Sequence, residues 1–130
     1  MDRVDNLKPV KDQPAFSNSV KTEWIDGDKR DMRLLESVSF RDAKGRVWDA
    51  PEGSVINGAS IPKFLWHLLG SPFVGRYRRA TVIHDVYCQH QFIASRVVHR
   101  MFYDAMICDG VRKVRAKLMY AGVRLFGPRF

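Results

Sequence analysis

The sequence predicts an α+β domain in which a small amino-terminal antiparallel sheet packs on a carboxy-terminal layer of three to four helices. Three observations predict it. The apolar period changes from two to three or four residues near Ser60, turn-forming residues punctuate the first half, and glycine and proline punctuate the second half at helical lengths. A chain of 130 residues with 45% hydrophobic and 12% aromatic content closes one core, so residues 1–130 are expected to form a single domain.

Residues 1–19, with Pro9, Pro14, Asn18 and several charges, read as an extended arm without a core of its own, held by the rest of the domain or by a partner chain. Residues 20–60 are β-rich: "VKTEWI", "RLLESVSF" and "GRVWDA" alternate with period two and are separated by "DGDKRD" and "DAKG". Gly45 of "DAKG" supplies the positive φ of a tight or bulged hairpin. Trp24, Phe40 and Trp48 are expected on one face of the sheet. Residues 61–130 are helical. Pro62 opens a short helix, "PKFLWHLLG", with Ser60 as cap and Gly70 as stop. Longer helices follow from about Tyr77 to Gln91, from Ser95 to Asp109 and from Val111 to Phe126. Ser95 reads as an N-cap, Gly110 and Gly127 as stops, and Pro128 forbids continuation.

No run of 18 apolar residues occurs, and "MDRVDNLKPVKDQP" lacks the apolar segment of a secretory signal. Cys88 and Cys108 fall inside helical patterns, not at the loop positions of a disulfide framework. A cytoplasmic location is therefore expected, with no signal peptide and no transmembrane segment. The net charge of +8 is unevenly placed: residues 1–60 carry 10 Lys/Arg against 11 Asp/Glu, residues 61–130 carry 12 against 3. A basic half suits an anionic partner such as an acidic protein surface, lipid or nucleic acid, and it speaks to association, not fold. No signature of sequence-specific nucleic-acid recognition is present. The last helix, in "VRKVRAKLMYAGVRLFGPRF", has six basic residues and no acid, and Val114, Leu118, Ala121, Gly122 and Leu125 form the apolar side expected to pack in the core.

The central question lies in "RRATVIHDVYCQHQ". Ala80, Ile83, His84, Tyr87 and Cys88 share one stripe while Val82 and Val86 lie on another, so the helix is apolar around most of its circumference and largely buried. A buried Asp85 must be paired or strongly hydrogen-bonded, because an isolated charge in a low dielectric costs several kcal/mol. Its partner is an arginine (Arg76, Arg78, Arg79 or Arg100) or the backbone of the "NGAS" turn. Chemically, the pair offers His84 as a general base or metal ligand and Asp85 as its orienter or a hard-cation ligand. Adjacent helical residues point about 100° apart, so each needs its own partner. In "SRVVHRMFYDAMICDG", Val97, Val98, Met101, Phe102, Ala105 and Met106 form the core stripe, with His99 on its flank and able to face His84 if the two helices fold back on each other; Asp104 is matched with Arg100 four residues earlier. A divalent metal would use His84, Asp85 and His99; a zinc version uses His84, Cys88 and His99 with His90 or Cys108. Asn57 and Ser60 of the turn, with Arg78, Arg79 and Tyr87 of the helix, are the candidate binding residues.

"INGASIPKFLWHLLGSPFVGRYRRATVIHDVYC", "VHRMFYDAMICDGV" and "AKLMYAGVRLFGPRF" closely resemble, over about residues 20–130, the bacterial and phage family known as domain of unknown function 1353. Members are frequent in phages and prophages, so the resemblance implies a viral origin; many have Asp where this chain has Asn57. A more distant similarity to phospholipases A2 rests on the helical His-Asp pair alone. Tyr87 comes three residues after His84 where those enzymes have tyrosine four after, and no glycine-rich calcium loop is present. Two functions are expected from these features. One is a phage structural or interaction component, virion or tail-associated, that docks through its arm and basic helical face on other phage proteins or on its own copies. The other is a metal-dependent hydrolase of lipid or cell wall, with His84 and Asp85 catalytic and the "NGAS" backbone stabilising an anion.

Overall fold

The alternating half of the chain resolves into two three-stranded antiparallel sheets instead of one. The computed structural model describes residues 14–25, 31–58, 60–69 and 75–130. Most of the expected arm (residues 1–13), most of the "DGDKRD" turn, Ala59 and Gly70 lie outside the described residues. The strands are β1 (Ala15–Phe16), β2 (Thr22–Trp24), β3 (Met32–Leu34), β4 (Val38–Arg41), β5 (Val47–Ala50) and β6 (Val55–Ile56). One sheet has the order β1-β4-β5 and the other β2-β3-β6.

This arrangement corrects two expectations. "RLLESVSF" is two strands, because the chain leaves β3 and crosses to the other sheet through 35–37, where Asn18 Nδ2 donates to the Ser37 carbonyl. Trp24 therefore lies in a different sheet from Phe40 and Trp48, and it is 70% exposed while they are buried. The described end of the arm, residues 14–19, is held by the body of the domain. β1 pairs with β4 in the register Ala15↔Arg41 and Phe16↔Phe40, and the Phe16 ring sits 4.9 Å from that of Phe40 in the core. The expected β4–β5 hairpin is present: Asp42 Oδ1 accepts the Lys44 and Arg46 amides, and Gly45 has φ +85°.

Four helices follow: α1 (Lys63–Leu69), α2 (Arg78–His90, entered through a 3-10 turn at Gly75–Tyr77), α3 (Ser95–Cys108) and α4 (Lys113–Phe126). α2 is the central element. Ala80, Thr81, Val82, Ile83, His84, Asp85, Val86 and Cys88 are all buried, between both sheets and α3. Each apolar side chain so enclosed contributes roughly 1.5–3 kcal/mol. α3 ends as expected at Gly110 (φ +83°), where the Val111 amide reaches the Met106 carbonyl and the Gly110 amide that of Ile107, a Schellman closure. Ser95 is not the N-cap of α3. It is the first helical residue, and its amide and hydroxyl exchange hydrogen bonds with the Phe130 carbonyl and amide, tying the carboxy-terminal segment to α3. None of the described helices is long and apolar enough to cross a membrane.

On α4 the buried stripe is Ala116, Met119, Gly122 and Val123; of the expected side, Val114, Leu118, Ala121, Gly122 and Leu125, Gly122 is buried and the other four are exposed. Gly122 explains the choice. A Cβ there would lie 2.4 Å from Leu65 Cδ1, so α1 and α4 approach at a contact that requires glycine, and that contact sets the rotation of α4. Gly122→Ala is expected to destabilise the protein by about 1–2 kcal/mol, the overpacking penalty outweighing a helix-propensity gain of about 1 kcal/mol. Urea titration checks this, and Leu65→Ala in the Gly122→Ala background should be less than additive.

Candidate functional site

α2 brings a histidine and a carboxylate into the interior, and their polar atoms are met from the turn before α1, from α2 itself and from α3. Relative exposures of 0% for His84 and 2% for both Asp85 and His99 leave no contact with bulk water to satisfy them. Among the described residues no arginine pairs with Asp85. Its Oδ2 accepts the Asn57 amide at 3.1 Å and the Gln89 side-chain amide at 3.0 Å, and its Oδ1 is 3.0 Å from Ser60 Oγ. Backbone hydrogen bonds from Gly58 and Ser60 also reach the carboxyl. The "NGAS" turn is thus the partner, and Gly58, at φ +74°, gives that turn its shape. Ser60 turns inward to this carboxyl and does not cap α1.

Each candidate arginine is engaged elsewhere. Arg79 grips Asp109 with Nε at 3.1 and 3.0 Å and with Nη2, donates to the Asn18 carbonyl, and lies over the Phe16 ring at 4.4 Å. Arg78 donates to Thr22 Oγ1, Arg76 to the Gly110 carbonyl, and Arg100 pairs with Asp104 at 3.4 Å as expected. Tyr87 stacks edge-on against Trp48, and its hydroxyl accepts the Asp49 amide at 2.9 Å. Arg78, Arg79 and Tyr87, singled out as binding residues, each also tie α2 to a neighbouring segment.

His84 and His99 do meet: Nε2 of His84 is 2.9 Å from Nδ1 of His99. His99 Nε2 lies 2.9 Å from the Pro128 carbonyl, which only accepts, so Nε2 carries the proton and Nδ1 of the neutral ring accepts from His84 Nε2–H. His84 Nδ1 is then an acceptor, 3.2 Å from Ser60 Oγ. Ser60 has one hydroxyl proton and two acceptors within reach. Ser60 Oγ donates to Asp85 Oδ1 and also lies beside His84 Nδ1, so carboxyl, hydroxyl, the two rings and the Pro128 carbonyl form one hydrogen-bonded chain. Burial raises the Asp85 pKa against the opposing hydrogen bonds from Asn57, Ser60 and Gly58. Burial, then the neighbouring His99, lowers the His84 pKa to about 3. Burial also lowers His99, although the Pro128 hydrogen bond works the other way.

Cys88, one turn after His84, completes the cluster. Its sulfur is 3.6 Å from His84 Nε2, and burial followed by the Asp85 charge pushes the thiol up to about 12. Donor atoms of His84, Cys88 and His99 all lie within 4.8 Å of one another. Asp85, held by the turn, lies outside this group of donors among the described residues. His90 is exposed and stacks on Phe92, while Cys108 donates to the Pro14 carbonyl, so both also lie outside it. Gln89 and Pro128 went unremarked in the sequence. Gln89 was findable as an amide four residues after a buried carboxylate, whereas Pro128 acts through its backbone carbonyl, which no side-chain pattern reveals.

The sign of the pH effect follows from the His84 shift. The unfolded chain takes up a proton near pH 6.5 that the folded chain refuses until about pH 3, so the contribution is full above 6.5 and is lost as pH falls through that window. With chelator present, wild-type unfolding free energy should fall about 1.4 kcal/mol per pH unit more steeply than that of His84→Gln between pH 6 and pH 4. Equal slopes in denaturant titrations would show that His84 is protonated in the folded protein.

Two curated relatives align with most of this chain. The uncharacterized protein y4jT of Sinorhizobium fredii (strain NBRC 101917 / NGR234) is 40% identical over 115 residues, covering 88% of this chain and 34% of its own length. The uncharacterized protein y4iH of the same strain is 38% identical over 127 residues, covering 98% of this chain and 53% of its own. This chain thus spans between a third and about half of the length of those relatives. No solved structure matches it. The matched family profile extends over residues 32–123, from β3 to the last turns of α4 and across the whole His84–Asp85 neighbourhood apart from Pro128, and the chain belongs to that family, described as Protein of unknown function (DUF1353).

Proposed function

We propose that the protein is an interaction module that docks through the α1–α4 face on an acidic partner protein. The observation that carries this reading is the stripe that α4 leaves in solvent. At 100° per residue, Val114, Leu118, Ala121 and Leu125 fall on one line of the helix, with Lys113, Lys117 and Arg124 along one border and α1 on the other. Phe64, Leu68, Val114, Leu118, Leu125 and Phe126 are between 44% and 72% exposed, and Phe64 meets Phe126 edge-to-face at 5.5 Å. A contiguous apolar patch bordered by cations is a recognised mark of an interaction surface, and rigid aromatic anchors supply much of the energy at such sites.

Charge selects the partner. α4 contains no acidic residue, so the face complements an acidic surface. A two-fold contact with a second copy would set Lys113, Lys117 and Arg124 near their own equivalents. The lengths of the relatives support a protein partner over lipid, since in both of them this fold is accompanied by further chain. A neighbouring phage structural protein is the partner that the family resemblance suggests. The alternative of a hydrolase gains less support, because His84, Asp85 and Ser60 are covered and their polar atoms are satisfied from within.

A photo-crosslinking residue at position 118 tests the reading in cells, with the same residue at exposed position 52 as control. One protein adduct is expected at 118 and none at 52, and Leu125→Asp should reduce it several-fold while shifting the melting temperature little, as surface substitutions do. Equal adducts at both positions, an adduct with lipid, or a crosslinked dimer of the chain itself would sink the proposal.

A further inference from the structure

We infer that His84, Cys88 and His99 form a binding site for a thiophilic transition-metal ion of the zinc class. Three features of the geometry carry this. The first is the donor set. Two imidazole nitrogens and one sulfur converge from α2 and α3, His84 and Cys88 being one helical turn apart on the same face. A tetrahedral ion with nitrogen at about 2.0–2.1 Å and sulfur at about 2.3 Å holds these atoms roughly 3.3–3.6 Å apart. Cys88 Sγ lies 3.6 Å from Nε2 and 3.9 Å from Nδ1 of His84, beside the ring, so binding requires the Cys88 side chain to turn toward His99, while the His84–His99 separation of 2.9 Å opens by a few tenths of an ångström. Hard cations such as calcium and magnesium take oxygen ligands, so this nitrogen and sulfur set selects against them.

The second feature is the layer behind the donors. A metal-bound histidine ordinarily donates its other ring N–H to a carbonyl or carboxylate, which fixes the ring and its tautomer. His99 does so through Nε2 to the Pro128 carbonyl, leaving Nδ1 to face the ion. His84 has Nδ1 on Ser60 Oγ, and Ser60 stands on Asp85, which leaves Nε2 to face it. In each histidine the supported ring nitrogen is the one that does not face the other histidine.

The third feature is charge balance in a buried place. On binding, the Cys88 S–H proton leaves for solvent, the His84 proton passes to Nδ1, where Ser60 Oγ accepts it, and sulfur and nitrogen lone pairs bond to the ion without any change of oxidation state. A divalent ion, one thiolate and the Asp85 carboxylate sum to zero net charge, as an interior with low dielectric demands. The ion takes its fourth ligand from outside this triad.

The full chain, stripped with chelator and titrated with Co2+, tests the site. One equivalent should produce the thiolate-to-cobalt charge-transfer band and the intense visible bands of tetrahedral cobalt, and Zn2+ should displace both. Cys88→Ser should remove the charge-transfer band and weaken binding by more than about 100-fold; Ser60→Ala, which removes a positioning residue, should weaken it by about 10–100-fold, with rescue by Ser60→Thr. His90→Gln, at an exposed histidine, should change nothing. Because substitutions in the core also threaten folding, X-ray absorption of the zinc-loaded wild-type chain gives an independent readout, with one sulfur and two histidine nitrogens expected in the first shell. A first shell of nitrogen and oxygen alone, a Co2+ spectrum unchanged in a folded Cys88→Ser chain, or no uptake at equimolar metal would overturn the inference.

Discussion

The structure depends on how the polar atoms of α2 are satisfied inside the core. A helix buried on nearly every side brings Asp85 and His84 with it, and neither can be left unmatched without a cost of several kcal/mol, comparable to the whole stability of a small domain. The solution fixes much of the architecture. Asp85 draws in the turn at Asn57–Ser60, Gln89 adds a link to the Val55 carbonyl on β6, and His84 draws in His99 of α3, which in turn holds Pro128. Removing any one member would strand its neighbours, so these hydrogen bonds act as a set.

Around that set the two halves of the chain are tied by polar links at the ends of α2. Arg79 at its start reaches Asp109 and the backbone near β1, and Tyr87 near its end reaches β5. Residues with the look of a ligand-binding group thus serve as clamps between layers. The nitrogen and sulfur donors of His84, Cys88 and His99 stand apart from these clamps, between α2 and α3.

The surface has its own logic. α4 carries two apolar stripes, and the close contact between Gly122 and Leu65 gives the interior the one built from small residues and Met119. The stripe with the larger aliphatic residues is left outside beside Phe64 and Leu68 of α1, within the most basic part of the chain. Burial of the smaller stripe lets the two helices approach closely, and exposure of the larger one leaves an adhesive face.

The residues alone determined the α+β class, the Gly45 hairpin, the stop at Gly110, the burial of α2, and the necessity that something meet Asp85, because periodicity, positive φ and the cost of buried charge are local or compositional properties. The meeting of His84 with His99 also followed from their places on consecutive helices joined by a short link. Tertiary structure alone decided which partner Asp85 received, the split of "RLLESVSF" between two sheets, the insertion of Phe16 into the core and the face of α4 that is buried. Those choices turn on contacts between segments far apart in the chain: an amide in a turn, a carbonyl at Pro128, a glycine that admits a leucine. A backbone group carries no signature in the sequence until the fold has placed it beside its partner.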